Sequence, residues 1–362
     1  MKDDRKNGER VALALRTLYR SYGYSQYRVS KFEEYDLYVR NKSFLPSERI
    51  LTFTDVDGRL MALKPDVTLS IVRNSRDLSY GVQKVFYHEN VYRSAGGSGN
   101  FRELTQVGLE CIGEVDDYAV CEVLSLAEKS LGEISPKYLL DISHLGILSE
   151  LINRAGVPEE ARGELLGLIA EKNLHGIRAL CEKCSIPADR AVWIAQIVSC
   201  SGKVTETVAM LSEMFSDDAW KEIVNGFCRV LRGLSEDRVR IDFSVINDMS
   251  YYNGIVFQGF VAGIPTDLLS GGQYDRLMEK MGRKSRAIGF AVYFDQLDLL
   301  APASDEVDAD TVVLYDEKTD PAEVLLAVQT GIQEGKRVIA ARRIPEKLTY
   351  RNVISLGKES GK

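Results

Sequence analysis

No stretch of this 362-residue chain is apolar for long enough to cross a bilayer, which takes about 20 consecutive apolar residues. Its first residues, MKDDRKNGERV, are charged and run into a helical pattern, unlike a secretory leader. The expectation is therefore a cytoplasmic protein that meets no membrane. Basic residues are not in excess: 46 Lys and Arg stand against 53 Asp and Glu, a formal charge of −7, so the chain as a whole carries no electrostatic footprint for nucleic acid. Histidine is scarce, and His88, His144 and His175 have no cysteine or carboxylate at ligand spacing. They read as packing or surface residues, and no metal or other cofactor is expected. The six cysteines are scattered, as reduced thiols would be. Cys181-Glu-Lys-Cys184 is a lone CxxC within a helical pattern. Metal or redox chemistry there competes with a reading as plain thiols, which the lack of a second pair favours. Repeats and low-complexity segments are missing, and no nucleophile–base constellation is visible, so no catalytic residue is expected.

What is there is ordinary globular composition, 45% hydrophobic and 27% charged, at a length that suits two or three domains. Asn7 to Tyr22 places Val11, Leu15, Leu18 and Tyr19 at helical spacing, with Gly23 as a stop. Tyr24 to Phe32 reads as a strand. Ile50 to Leu63 reads as two short strands about the turn Asp55-Val-Asp-Gly58. Pro65 then imposes an extended or turning backbone before a helical Leu69 to Asn74. Asp117 to Leu131 is an amphipathic helix and Tyr138 to Ile142 a strand. From His144 to about Leu234 helices follow one another, and strands resume at Arg238 to Phe243 and Tyr251 to Phe260. Ala287 to Leu300 reads as a strand and a helix. Beyond a short acidic linker at Pro302 to Asp308, Asp310 to Ala341 forms a β-α-β unit. The expected division is 1–143 and 236–302 as two parts of one α+β domain, 144–235 as a helical module inserted between them, and 308–362 as a small α/β domain.

Lys84 to Gly113, KVFYHENVYRSAGGSGNFRELTQVGLECIG, organises the rest. An apolar run, a Gly/Ser/Asn loop and an alternating run make two antiparallel strands. Gln106 and Glu110 are four apart and share a face. Buried there they need polar partners; on a solvated sheet face they need none, and the pattern alone leaves both readings open.

In order, these pieces resemble the catalytic domain of class II aminoacyl-tRNA synthetases, and within it the histidyl-tRNA synthetases, over roughly residues 7 to 300. Phe53 to Thr68, ending Lys-Pro-Asp-Val-Thr, is similar to the family's turn R-P-[DE]-x-T. Val91-Tyr-Arg93 through Gln106-Val-Gly-Leu-Glu110 resembles its motif 2. Tyr251-Tyr-Asn-Gly-Ile-Val-Phe257 and Gly271-Gly-Gln-Tyr-Asp275 resemble its histidine-recognition strand and glycine turn, and Ala287-Ile-Gly-Phe-Ala291 the start of motif 3. The resemblance implies an antiparallel sheet flanked by helices. It also implies that Arg93 meets an amino-acid carboxylate, that Gln106 and Glu110 hold the amino and imidazole groups, and that Asp66, Thr68, Tyr251 and Tyr252 complete the pocket.

The departures fall on the ATP side. Ala95 stands where the family has a glutamate that helps to hold ATP, and the loop Gly96-Gly-Ser-Gly99 is short and poor in cations. Asn247 aligns with the catalytic arginine, Gln296 with the arginine ending motif 3, and Gln273 with the arginine of the glycine turn. Ser30 takes the place of the motif 1 proline of the dimer interface. Loss of one electrostatic group commonly costs about 10²–10³ in rate, so several together leave no useful adenylation. A histidyl-like domain of this kind resembles the regulatory subunits of ATP phosphoribosyltransferase, the family also suggested by Lys64-Pro-Asp-Val-Thr68, by Leu139-Leu-Asp-Ile-Ser-His-Leu-Gly146 and by the inserted helices around Ala161 to Leu180. The resemblance implies a non-catalytic partner of the short-form catalytic subunit, histidine as effector, a homodimer assembling into a hetero-octamer, and no tRNA reading by the small C-terminal domain. The alternatives are a histidyl-tRNA synthetase, active or degenerate, and a synthetase-like paralogue for another ligand. The pocket itself is either retained for an effector or a relic in a scaffold that only binds its partner.

Overall fold

The computed structural model describes residues 5–42, 45, 50–78, 80–94, 100–246, 251–300 and 307–356. Two compact units divide the chain, Met1–Leu300 and Ala301–Lys362. The first unit opens with α1 (Arg5–Ser21), β1 (Ser25–Gln26), β2 (Phe32–Glu34), α2 (Tyr35–Arg40), β3 (Thr52–Thr54), β4 (Leu60–Leu63) and α3 (Thr68–Asn74). It continues with β5 (Val82–Ser94), β6 (Phe101–Gly113), α4 (Asp117–Ile134) and β7 (Tyr138–His144). Then come α5 (Leu145–Ala155), α6 (Glu159–Ala170), α7 (Leu174–Lys183), α8 (Ala188–Ser199), β8 (Ser201–Lys203), α9 (Val204–Met214) and α10 (Asp218–Leu231). β9 (Val239–Asp242), β10 (Ile255–Val261), β11 (Leu269–Gln273), α11 (Asp275–Lys280), β12 (Arg286–Tyr293) and a 3-10 helix, Phe294–Leu299, complete it.

The main sheet has nine strands in the order β1-β5-β6-β12-β11-β10-β7-β9-β8. The stretch from β5 to β7 is antiparallel throughout. β5 and β6 are its longest strands, 13 residues each, paired from Val82↔Gly113 to Ser94↔Phe101. α1 lays Val11, Leu15 and Tyr19, at a helical spacing of four, into the main core, where Leu124, Leu131 and their neighbours on α4 meet the sheet. α4 starts where Asp116 Oδ1 accepts the Ala119 N–H at 2.8 Å, a satisfied N-cap. The helices between β7 and β9 share this core through Ile147, Leu151, Ile197 and Trp220. His144 caps α5, its Nδ1 accepting the Ile147 N–H at 3.2 Å while its ring packs against Phe227. Cys181 and Cys184 are free thiols, and Cys181 is buried in the same core.

Two local expectations change. Tyr24 to Phe32 is not one strand: only Ser25 and Gln26 pair with β5, and Val29 N–H is taken instead by the Glu89 carboxylate at 3.2 Å. The chain then joins the small sheet β2-β4-β3 at Phe32. Likewise Phe294–Leu299 is a 3-10 rather than an α-helix.

The second unit holds β13 (Ala309–Leu314), α12 (Pro321–Gln333), β14 (Val338–Ala341) and β15 (Tyr350–Ser355). Its sheet is parallel, in the order β14-β13-β15, with α12 as the crossover between β13 and β14. Asp320 Oδ1 caps α12 at Ala322 N–H, and Pro321 occupies the first turn, where its missing N–H costs nothing.

Candidate ligand-binding site

On β6 and β12 the register sets Glu110 against Gly289, Gly108 against Ala291 and Gln106 against Tyr293. On the other side of β12, β11 sets Gly272 against Gly289 and Ser270 against Ala291. Alternate residues of a strand share a face, so these positions make one surface with a low floor of Gly, Ala and Ser. Above it lies a cavity of about 290 Å³. Its walls come from Tyr87 and Arg93 on β5, Asp66 and Thr68 at the start of α3, Tyr251 and Tyr252 before β10, and Tyr274 after β11. All seven residues singled out from the sequence line this cavity: Asp66, Thr68, Arg93, Gln106, Glu110, Tyr251 and Tyr252.

The reading of Gln106 and Glu110 as a solvated sheet face is overturned, since they are 3% and 2% exposed. Glu110 lies across the backbone of β12, and only a glycine there permits it. A Cβ on Gly289 would stand 1.8 Å from Glu110 Oε2. Gly289→Ala is therefore expected to displace the carboxyl and to destabilise the fold by about 1–3 kcal/mol, the usual cost of overpacking. Urea unfolding checks this, and an unchanged midpoint would contradict it.

Two hydroxyls hold the carboxyl in place. Thr68 Oγ1 donates to Oε1 at 2.7 Å and Tyr274 donates to Oε2 at 2.6 Å. Burial pushes the Glu110 pKa up to about 8, against the pull of these two hydrogen bonds and with help from the nearby charge of Asp66. At neutral pH the carboxyl thus favours its protonated form, and a cationic group brought to it would favour the ionised form and pair with it. Asp66 receives the Leu69 N–H at 2.8 Å, which fixes the first turn of α3. Burial raises its pKa as well, opposed by the Leu69 hydrogen bond and the charge of Arg93. Arg93 is held from behind by Nε donating to Pro65 O at 2.9 Å, and its charge also acts on Tyr293.

Gln106 is different. Among the described residues no protein group hydrogen-bonds its side-chain amide, although the residue is almost wholly buried. Its amide faces the cavity, where it is available to donate to or accept from a polar ligand. The tyrosines pack into one another, Tyr251 at 4.6 Å from Tyr252 and 5.8 Å from Tyr274 between ring centroids. Burial holds the hydroxyls of Tyr87, Tyr251 and Tyr274 far above their usual pKa, so they act as neutral hydrogen-bonding groups. The cavity can thus take a small molecule that carries an N–H or cationic end toward Glu110 and an anionic end toward Arg93.

Sequence reasoning missed Tyr274, Tyr87, Ser270 and Tyr293. Tyr274 directly follows the glycine strand, which was a usable signal; Tyr87 lies hidden in an apolar run. Of the departures, Gln273 is buried and its Oε1 accepts the Ile255 N–H at 2.8 Å. Gln296 Oε1 accepts from Thr266 Oγ1 at 2.8 Å, and Ser30 Oγ donates to Phe32 O at 2.7 Å. Ala95, the loop at 96–99 and Asn247 lie outside the described residues.

A sheet antiparallel from β5 to β7, with parallel pairs at β1–β5 and β7–β9 and helices packed on it, and motif residues converging on one polar cavity, define a class II aminoacyl-tRNA synthetase-like domain. Residues 2–297 match the profile of the histidyl-tRNA synthetase family, and the chain belongs to that family. It is 27% identical to the ATP phosphoribosyltransferase regulatory subunit of Oceanobacillus iheyensis, over 94% of this chain and 86% of the relative. It is 26% identical to the histidine–tRNA ligase of Methanocaldococcus jannaschii, over 97% of this chain and 86% of the ligase. Among solved structures it superimposes with a TM-score of 0.77 on an ATP phosphoribosyltransferase regulatory subunit/histidyl-tRNA synthetase from Bacillus halodurans C, at 22% identity over 99% of this chain and 97% of that one. That likeness concerns the fold.

Proposed function

We propose that this chain is the regulatory subunit of an ATP phosphoribosyltransferase, a non-catalytic member of the histidyl-tRNA synthetase family acting in the cytoplasm in the first step of histidine biosynthesis. Its partner is the short-form catalytic subunit, and histidine is the effector read by the cavity. The observation that carries this reading is the split character of the site. The amino-acid side keeps a buried, doubly hydrogen-bonded Glu110, with Gln106 beside it in the cavity wall. On the ATP side, Gln273 and Gln296 occupy positions that hold arginines in the resembling family, and both are engaged within the protein. Neutral amides cannot neutralise a triphosphate as guanidinium groups do. The name borne by the Oceanobacillus iheyensis relative supports the same role. A homodimer, and a hetero-octamer with the catalytic subunit, follow from the same reading, as does the absence of tRNA reading.

Mixing the purified chain with the short-form catalytic subunit of the same genome should give phosphoribosyl-ATP formation well above that of the catalytic subunit alone, and added histidine should suppress it. The competing reading, a histidyl-tRNA synthetase, has the family profile and the Methanocaldococcus jannaschii ligase in its favour. Histidine-dependent ATP–pyrophosphate exchange by the chain alone would establish that reading and remove ours.

A further inference from the structure

Along β12 the cavity floor changes height abruptly. Gly289 and Ala291 offer almost nothing above the sheet, and Tyr293, the next residue on the same face, raises a full phenol ring. Tyr293 is the last residue of β12 paired with β6, directly opposite Gln106. Ser270, which stands opposite Ala291 on β11, and Arg93, on β5, line the cavity beside it. The ring thus stands at one end of the cavity, while Glu110 marks the other end, opposite Gly289. Four residues of strand separate Gly289 from Tyr293, a span of about 13 Å before the side chains lean inward. The cavity volume of about 290 Å³ lies at the lower bound of small-molecule pockets, roughly 300–1,000 Å³.

We infer that Tyr293 is a size-selecting residue which admits a free amino acid and excludes one whose carboxyl carries a larger group, such as an acyl-adenylate. The inference rests on the reading of the cavity as an amino-acid site with the side-chain end at Glu110. That orientation leaves the carboxylate at the end shared by Arg93 and Tyr293. A free carboxylate ends there and meets the guanidinium. An adenylate continues with a phosphate, a ribose and a purine, and the first of these must pass where the phenol ring stands. Electrostatics alone would not discriminate, because an anionic phosphate also suits Arg93. The discrimination is steric, and removal of the ring should relieve it.

The test is calorimetric titration of the intact chain with two ligands, histidine and a non-hydrolysable histidyl-adenylate analogue with an anionic sulfamate in place of the phosphate. Wild type should bind histidine and bind the analogue at least tenfold more weakly. Tyr293→Ala should raise the ratio of analogue to histidine affinity at least tenfold, and Tyr293→Phe, which keeps the ring, should leave that ratio as in wild type. Tyr293→Val, whose side chain suits a strand, repeats the test if the alanine variant is unstable by thermal melting. Wild type that binds the analogue as tightly as histidine, or ring-less variants that gain nothing for it, would overturn the inference. If wild type binds neither ligand but Tyr293→Ala binds the analogue, the size selection stands and the histidine-effector reading falls.

Discussion

Glu110→Gln is expected to make the protein more stable than wild type at pH 8 to 9 and, in the same substitution, to weaken histidine binding about 10–100-fold. The two effects have one origin. In the unfolded chain a glutamate ionises near its ordinary value, whereas in the folded protein burial lifts Glu110 to about 8. Between those two values the folded state holds a proton that the unfolded state has released. Stability from this group is therefore full below the unfolded value and is lost as pH rises toward 8, at up to about 1.4 kcal/mol per pH unit for one proton. Glutamine keeps the shape, with its amide oxygen accepting from one of the two hydroxyls and its NH2 donating to the oxygen of the other, and it has nothing to titrate. The gap between variant and wild type should therefore widen from pH 5 to 8 and then level off. Urea unfolding at pH 5, 7 and 9 measures it, and parallel profiles would refute the protonated carboxyl. The binding loss arises because a hydrogen bond to an ionised group is worth about 1.5–3 kcal/mol, and the amide cannot supply the charge. Since binding of a cation or a strong N–H donor requires the ionised carboxylate, wild-type affinity should rise as pH approaches 8. An affinity independent of both pH and the substitution would show that Glu110 does not face the ligand.

Glu89→Ala should cost about 3–5 kcal/mol, the largest stability loss expected here from one side chain outside the apolar core. Lys64 is 1% exposed, and its Nζ lies 2.6 Å from Glu89 Oε2, with Val29 O as a further partner at 3.3 Å. Truncating Glu89 leaves that ammonium buried without a counter-charge, which is far worse than removing both groups. The double change Lys64→Met with Glu89→Leu should recover most of the loss, by 2 kcal/mol or more on the same scale of about 3–5. The pair also matters to the site. Lys64 N–H donates to Lys31 O and Lys64 O accepts the Tyr92 N–H, so this residue ties the small sheet to β5 just before Pro65, Asp66 and Thr68. Glu89→Ala should therefore weaken ligand binding as well as folding. Chemical denaturation of the single and double variants checks the first effect, and a single variant no less stable than the double would refute it.

Much of this was legible along the chain because its signals are local. The alternation in Phe101–Gly113, the glycine-rich break before it and the turn at Asp55 to Gly58 announce their strands within a few residues. The motif order from Phe53 to Ala291 groups Asp66, Thr68, Arg93, Gln106, Glu110, Tyr251 and Tyr252 from the sequence alone, because each lies in a short pattern. Tyr24 to Phe32 misled for the opposite reason: its strand-like composition does not reveal that Glu89, 60 residues from Val29, takes the backbone N–H that a ladder would use.

By itself, then, the sequence determined the kind of domain, the order of its parts and which polar residues share a pocket. Only the tertiary structure decided what those residues are chemically. Glu110 is a raised, neutral-leaning carboxyl because distant segments bury it, with Gly289 letting it lie flat on β12, while Thr68 and Tyr274, the latter 164 positions away, hold it in place and pull its pKa the other way. Tyr293 walls one end because the β6–β12 register sets it against Gln106. Burial and register are products of contacts between distant segments, and neither protonation nor cavity length exists until those segments meet.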